Sequence, residues 1–151
     1  TQGTLKGQAT LHSSEEVEIM GDLTYASNPK SKNSNDLLGI VSEGDVKVDY
    51  QAHQAKGYKD LTIHASIMSL DKSFKVEYYS YGKPRGTLEL VGGLQQRERG
   101  AVGTFSGGGV QSGFSKDYSY DSRLSSMMPP HYPRESVFSQ KYWKEKPVQY
   151  L

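Results

Sequence analysis

Two clusters of acidic residues are the part of this sequence best suited to catalysis. The first consists of Glu15, Glu16, Glu18 and Asp22, and the second of Glu43, Asp45 and Asp49. Two carboxylates flanking a glycosidic bond can hydrolyse it, and several acids beside an Arg or Lys suit a polysaccharide lyase. Stacked coils would bring Asp22 and Asp45 close together, since each follows a glycine. We expect instead that these acids are outward charges that keep the sheet soluble and block sheet stacking. Calcium binding is a further alternative.

Metal and nucleotide chemistry has little support in the sequence. The four histidines (12, 53, 64 and 131) are scattered, and none are spaced as a pair of metal ligands. The glycine-rich segment 97–109 lacks the G-x-x-x-x-G-K-[ST] order of a phosphate-binding loop, and no helical pattern follows it. The chain contains no cysteine, which excludes disulfides and thiolate ligands. We therefore predict no cofactor and no metal site.

Basic and aromatic residues concentrate in the C-terminal two thirds of the chain. The net charge is +1, but residues 1–50 carry −4 and residues 51–151 carry +5. Basic groups neutralise phosphates and tyrosine faces stack on exposed bases. The candidate contacts with a polyanion or another partner are Arg85, Arg97, Arg99, Lys116, Arg123, Tyr79 and Tyr81, interleaved with Tyr78, Tyr118 and Tyr120. The alternative is a solvated surface on which the arginines pair with neighbouring acids.

Short strands must position all of these residues, because apolar and polar residues alternate with a period of two through most of the first 110 positions. The pattern is clearest in "VEIMGDLTY" (17–25), "GIVSEGDVKV" (39–48), "LTIHASIMS" (61–69) and "LELVGGLQQ" (88–96). Such alternation predicts β-strands. Hydrophobic residues make up only 34% of the chain, which favours a thin, elongated core. The predicted fold class is all-β.

The strands also resemble one another at a spacing of about 20 to 27 residues, which is typical of stacked repeats. We predict a right-handed parallel β-solenoid of about four to five short coils over residues 1–110. Gly21, Gly44 and Gly92 are expected at the bends, where the backbone needs a positive φ. A β-sandwich whose strands merely share the alternation is the alternative.

Three polar stretches interrupt the repeat and are predicted to be loops on one flank of the solenoid: 27–36, 49–60 and 78–86. Residues 111–151 are predicted to form an extended, Pro-rich C-terminal arm or cap that packs on the solenoid within the same domain. One helical turn is expected to start at Asp121. A final short strand or two is expected in 137–151.

The most specific segments of the sequence resemble a known bacterial domain. They are "RGTLELVGGL…RGAVGTF" within 85–105 and "YSYD.RL…PP.YP" within 118–133. The domain is of largely uncharacterised function and occurs near the C-terminus of pilus-assembly and minor-pilin-like proteins. The resemblance covers nearly the whole chain. It implies a β-solenoid carried on a longer protein, often one with an N-terminal prepilin-type helix, and it supplies no catalytic residues.

The expected function is that of a non-enzymatic structural or interaction module, displayed extracellularly or in the periplasm, that presents its loops to a partner. Expected partners are other pilus or envelope proteins, DNA, surface polysaccharide, or a second copy stacked on the solenoid end. No apolar run approaches the roughly 18 residues of a membrane span. A DNA-binding pilus tip and a carbohydrate-active β-helix enzyme are the alternative functions.

Overall fold

The fold is a stack of short parallel strands that wind around a common core. The computed structural model describes residues 1–31, 33–55, 57 and 59–134. In chain order, its elements are β1 (Gly3–Leu5), β2 (Gln8–Ser13), β3 (Val17–Ile19), β4 (Leu23–Tyr25), β5 (Leu37–Ser42), β6 (Val46–Val48), α1 (Tyr50–Ala55), β7 (Leu61–Ser69), β8 (Phe74–Val76), β9 (Pro84–Gln96), β10 (Gly103–Ser106), β11 (Gly109–Tyr120) and a 3₁₀ turn (Ser122–Ser125).

Three ladders form three faces of the stack. Face 1 contains β1, β4, the first half of β7, the first half of β9 and β11. Face 2 contains β2, β5 and the second halves of β7 and β9, and face 3 contains β3, β6 and β8. Every described pairing is parallel except that of β10 with β11. The chain therefore forms a parallel β-solenoid of about four turns, as the sequence predicted, rather than a sandwich of antiparallel sheets.

Aliphatic side chains of successive coils align in columns that fill the interior. On face 3, Val17, Val46 and Phe74 form one such column, and all three side chains are buried. Each aliphatic side chain removed from water contributes about 1.5–3 kcal/mol. Because each coil needs only a few of these residues, a hydrophobic content of 34% is enough to fill the core.

The best repeat in the sequence is also the best-matched pair of strands. β7 and β9 pair over nine consecutive positions, from Leu61 opposite Leu88 to Ser69 opposite Gln96, at a constant offset of 27 residues. No insertion or bulge disturbs this register. The two segments are therefore successive copies of one coil, and their similarity in sequence reflects equivalent positions in the fold.

Segment 17–25, which has the same alternation, is not an equivalent of those two strands. Val17 pairs with Val46 on face 3, whereas Leu23 pairs with Ile63 on face 1, so a bend divides the segment. Alternation with a period of two occurs on every face of the solenoid. A pattern match therefore identifies a strand without assigning it to a face.

The bend at Gly92 requires glycine because two coils approach closely there. A Cβ atom at this position would lie 1.8 Å from the carbonyl oxygen of Ala65, in the coil below. The glycines with positive φ do not include Gly21, Gly44 or Gly92, so the expectation of a left-handed backbone at these three bends is wrong. What Gly92 supplies is the absence of a side chain.

Two of the three predicted insertions leave the stack at the same corner. Segments 49–60 and 78–86 both connect face 3 to face 1, whereas 27–36 connects face 1 to face 2. The prediction of a loop was wrong for Tyr50–Ala55, which form α1, because six residues are too few to show a helical period. In the third insertion, β9 already begins at Pro84.

Beyond residue 110 the ladder continues before the arm begins. The second half of β11 pairs with β9 as far as Tyr120, opposite Gly92. Asp121 then caps the 3₁₀ turn, its side chain accepting a hydrogen bond from the backbone N–H of Arg123, which is the helical turn expected there. The arm reaches back to face 2, where the Thr10 hydroxyl donates to the carbonyl of Pro130. The strand expected in 137–151 lies outside the described residues.

Candidate functional site: a tyrosine cleft at one corner

The insertions that connect face 3 to face 1 form a surface cleft of about 390 Å³. It is lined by Tyr50 and Gln51 from α1 and by Tyr78 and Tyr81 from the turn that follows β8. We call these four residues the tyrosine cleft. Tyr78 is 62% exposed and Tyr81 is 75% exposed, which is unusual for such large rings. Tyr78 also has a φ of +48°, a conformation that non-glycine residues rarely adopt.

Arg85 lies beneath this cleft and determines its shape. Its side chain is buried, and its guanidinium carbon lies 3.1 Å from the ring centroid of Tyr50. The guanidinium donates hydrogen bonds to the carbonyls of Glu77 at 3.0 Å, of Tyr78, and of Tyr81 at 3.3 Å. Burial lowers the pKa of Arg85, and the Tyr50 hydroxyl opposes that shift. Arg85 therefore supports the aromatic residues from below and is not exposed to a polyanion.

The hairpin of β10 and β11 supports the same turn from another side. The Ser112 hydroxyl donates its proton to the carbonyl of Tyr79 at 2.8 Å. It therefore accepts the hydrogen bond of 2.5 Å that it forms with the Thr104 hydroxyl. A Cβ atom at Gly113, whose φ is +69°, would lie 2.8 Å from that same carbonyl. Side chains on two sides, Arg85 and Ser112, thus hold the backbone carbonyls of the turn, while the rings of Tyr78 and Tyr81 remain exposed.

Arg123, another predicted contact residue, is only partly exposed and is engaged by neighbouring groups. Its side chain is 10% exposed and forms an ion pair of 2.7 Å with Asp121, which raises the pKa of Arg123. The same guanidinium donates to the carbonyl of Ser34 at 2.9 Å and to its hydroxyl at 2.8 Å, and it lies 5.4 Å from the ring centroid of Tyr25. Arg123 therefore ties insertion 27–36 to the end of the ladder.

The other basic candidates lie away from the tyrosine cleft. Arg97 forms an exposed ion pair of 3.1 Å with Asp71, and such pairs stabilise a protein little. Arg99 and Lys116 are both exposed and belong to none of the ion pairs of the described residues. Burial and then the charge of Arg99 lower the pKa of Lys116. Burial raises the pKa of Tyr118 to about 12, and Arg99 opposes this shift.

Lys116 and Tyr118 are exposed at the end of the stack, although they lie in register with core residues of the coil below. Lys116 pairs with Leu88, and Tyr118 pairs with Leu90, so two aliphatic columns end there in polar side chains. The Nζ atom of Lys116 lies 6.0 Å from the ring centroid of Tyr118. The predicted contact residues therefore do not form one surface. Tyr81 lines the tyrosine cleft, whereas Tyr79 and Arg85 lie outside its lining. Arg99 and Lys116 lie at the last coil, and Arg97 and Arg123 form separate ion pairs.

The carboxylates predicted to meet in a catalytic groove serve the ladder instead. Asp22 accepts a hydrogen bond of 2.9 Å from the backbone N–H of Thr62 at the corner of faces 3 and 1. Asp45 lies at the corner of faces 2 and 3, where it accepts 3.1 Å from the N–H of Ser73 and pairs with Lys75. Burial favours the neutral acid, but these two donors outweigh it and lower the pKa of Asp45. Asp22 and Asp45 therefore lie at different corners, and the shared groove that the carbohydrate-active alternative needs does not contain both of them.

An acidic cleft of about 430 Å³ does occur at the corner of faces 2 and 3, lined by Ser14, Glu15, Glu16, Glu43, Gly44, Asp45, Asp71 and Lys72. Its neighbour on face 3 is Lys47, whose ammonium contacts Glu16 at 2.8 Å and Glu18 and Glu77 at 3.0 Å. These hydrogen bonds raise the pKa of Lys47 well above its usual value. Among the described residues, no group of three or more His, Asp or Glu is arranged to hold a metal ion.

Tyr50 and Gln51 were missed as site residues because they lie 27 positions or more before Tyr78 in a segment that predicts a loop. The available signal was the aromatic residue at the start of each of two insertions, in "DYQAHQ" and "EYYSYG".

No protein-family model, no curated protein and no solved structure matches the chain. In the part of the chain that the structure describes, no helix is both long and apolar enough to span a bilayer.

Proposed function

We propose that this protein is a non-enzymatic interaction module of a cell-surface or pilus-associated, minor-pilin-like protein, and that the tyrosine cleft is its contact surface. The observation that carries the proposal is Arg85, a buried cation whose hydrogen bonds go to the turn that displays Tyr78 and Tyr81. Burying a charge is costly unless it is well bonded. Using a buried charge to support a turn with two exposed aromatic rings favours a role in binding, because exposed aromatic patches mark contact surfaces.

The scaffold suits the presentation of loops. Face 1 and face 3 are parallel ladders whose inner strands, such as β7 and β6, bond to the coils above and below, and loops on a rigid scaffold commonly carry binding residues. The positive φ of Tyr78 supports the same conclusion, since strained backbone persists where the surroundings enforce it and concentrates at functional sites.

A non-enzymatic role is favoured by the use made of the acids. Asp22 lies at a different corner from the acidic cleft, and within that cleft Asp45 is paired with Lys75 and Glu16 with Lys47. A glycosidase needs one carboxyl group that holds a proton beside a second that is ionised, whereas the donors around Asp45 lower its pKa. The assignment to a pilus or envelope protein outside the cytoplasm rests on the sequence resemblance within 85–133.

Adhesion of coated beads tests this function. Beads carrying the wild-type protein are mixed with intact cells of the source bacterium, and bound beads are counted. The double variant Tyr78→Ser/Tyr81→Ser should reduce binding at least tenfold, whereas the control Tyr120→Ser, an exposed tyrosine at a different bend, should leave it unchanged. Equal binding by wild type and double variant would overturn the proposal. Release of reducing ends or unsaturated products from polysaccharides would instead support the enzyme.

Contact with DNA through the last coil is a second candidate function. It is favoured by Arg99 and Lys116, two cations close enough for one to lower the pKa of the other, beside the ring of Tyr118. Fluorescence anisotropy with single- and double-stranded DNA at low and physiological salt tests it. Binding should weaken as salt rises and should fall in Arg99→Ala/Lys116→Ala. Binding that is insensitive to salt, or absent at low salt, rules it out.

A further inference from the structure

The tyrosine cleft has a lining without charge. Its described walls are the phenol rings of Tyr50, Tyr78 and Tyr81 and the amide of Gln51. The nearby guanidinium of Arg85 is buried, and its terminal nitrogens donate to three backbone carbonyls. Charged donors bind a phosphate or carboxylate most strongly, and the described residues that line the cleft include none. Its occupant should therefore be neutral.

We propose that this neutral occupant is a carbohydrate, an inference that rests on the function proposed above. A pyranose ring has flat C–H faces and a rim of hydroxyl groups, so it can stack on an aromatic face and hydrogen-bond at its edges. Tyrosine supplies an apolar ring together with a hydroxyl that donates and accepts, and the glutamine amide both donates and accepts. A cleft of about 390 Å³ lies within the range of small-ligand sites, roughly 300–1,000 Å³.

The exposure of the rings favours a glycan over an apolar peptide. Tyr78 and Tyr81 remain 62% and 75% exposed, so they form an open wall and not a deep socket. An apolar side chain gains most when it is buried completely. A sugar keeps part of its hydration through bridging waters, so it loses less binding free energy than an apolar side chain does when the site is open.

Arg85 acts in this site as a positioning residue. It stacks on Tyr50 and holds the carbonyls of Tyr78 and Tyr81, so the ring of Tyr50 and the backbone that carries the other two rings are ordered before a ligand arrives. Preorganisation raises affinity because less conformational entropy is lost on binding. A lysine at position 85 keeps the charge but loses the planar fork of donors that reaches several carbonyls at once.

Calorimetry of the full chain against defined oligosaccharides tests the inference. The probes are neutral gluco-, manno- and chito-oligosaccharides, with polyuronate oligosaccharides of equal length as charged controls. The wild type should bind at least one neutral probe, with an affinity that salt does not change. Tyr81→Ser should weaken this binding at least tenfold, Tyr78→Phe by less than about threefold since the ring remains, and Tyr120→Ser should have no effect.

Arg85→Lys separates positioning from folding. In a variant with an unchanged circular dichroism spectrum, affinity should fall mainly through a less favourable binding entropy, because the ligand must now order the turn. Tyr81→Ser should instead lose binding enthalpy, because it removes contacts. An Arg85→Lys protein that folds and binds as the wild type does would refute the positioning role.

The outcomes distinguish this inference from the proposed function. If no neutral probe binds while bead adhesion still depends on Tyr78 and Tyr81, the inferred carbohydrate ligand is wrong, but the proposed function as an interaction module is retained. Binding of polyuronates alone, or glycan binding that survives Tyr78→Ser/Tyr81→Ser, also overturns the inference. If bead adhesion is independent of both tyrosines, the proposed function fails as well.

Discussion

Gly92 and Gly93 are adjacent glycines on one strand, yet they should respond very differently to the same substitution. In Gly92→Ala, the new methyl group would lie 1.8 Å from the oxygen and 2.5 Å from the carbon of the Ala65 carbonyl. Both atoms belong to the backbone of the neighbouring coil, so no side-chain rotation can relieve the contact. In Gly93→Ala, the nearest atoms are the Ser66 hydroxyl at 3.1 Å and a Leu124 methyl at 3.5 Å, and both are side-chain atoms.

The geometry sets the size of the effect. Cβ atoms essentially never approach other heavy atoms within 3.0 Å, so Gly92→Ala must open the contact by about 1.2 Å. A ladder bond of roughly 2.9 Å then stretches to about 4 Å and is lost. One or two such bonds at about 1–3 kcal/mol each, with overpacking of about 1–3 kcal/mol, give a loss of about 2–9 kcal/mol. For Gly93→Ala, a gain of about 0.4–1 kcal/mol from the stiffer unfolded chain offsets a mild contact.

Urea unfolding followed by far-ultraviolet circular dichroism measures both variants against the wild type. We expect Gly93→Ala to remain within about 1 kcal/mol of the wild type, since its contacts can relax. Gly92→Ala should unfold at a clearly lower urea concentration or fail to fold. A Gly92→Ala protein as stable as Gly93→Ala would refute the close stacking of coils at this bend.

Three further predictions concern charged groups. Lys47→Met leaves three glutamates without their common cation and should lower the free energy of unfolding by about 1–3 kcal/mol; urea titrations should show a smaller loss in high salt, and an equal loss would contradict the role of charge. The pKa of Asp36 is lowered by hydrogen bonds from the N–H of Gly7 and the hydroxyl of Ser27, which outweigh burial. The ionised Asp36 therefore stabilises the fold above about pH 4, and this stabilisation is lost as the pH falls through the lowered pKa of the folded state. The difference in free energy of unfolding between wild type and Asp36→Asn should become smaller in acid. A difference that stays constant with pH in urea titrations would contradict this. Arg123→Met leaves the buried carboxylate of Asp121 unpaired and should lower the free energy of unfolding by about 3–5 kcal/mol in the same assay. Neutralising Asp121 as well should recover part of that loss. If the losses of the two single variants simply add, the pair is not coupled.

The sequence predicted the stack because its signal is local. Alternation in 61–69 and 88–96 identifies two strands, and their offset of 27 residues is the register that the ladder has. The same reasoning misplaced 17–25, because alternation does not reveal the face on which a strand lies. It also misjudged the bend at Gly92, where the requirement for glycine comes from the carbonyl of another coil, and no local pattern records that distance.

The site was only partly predictable for the same reason. Tyr81 was found because it lies in a short run of tyrosines, whereas Tyr50 joins it through the stacking of coils. Tyr79, predicted from the same run, does not line the cleft. Arg85 was expected to face a partner because a single sequence gives charge but not burial. Its three carbonyl acceptors come from the fold of the preceding turn, which composition and spacing do not specify.

The bond between Arg123 and Ser34 joins residues 89 positions apart. During synthesis, insertion 27–36 leaves the ribosome long before Arg123 does, so the hydrogen bond from Arg123 to Ser34 can form only after most of the chain has been translated. Until then the insertion can rely only on hydrogen bonds within itself and to the first coil, such as those of Ser27 with Ser34 and of Gly7 with Asp36. Completion of the last coil thus secures the earliest part of the chain, and a nascent protein halted before residue 123 would carry an unfastened segment near its beginning.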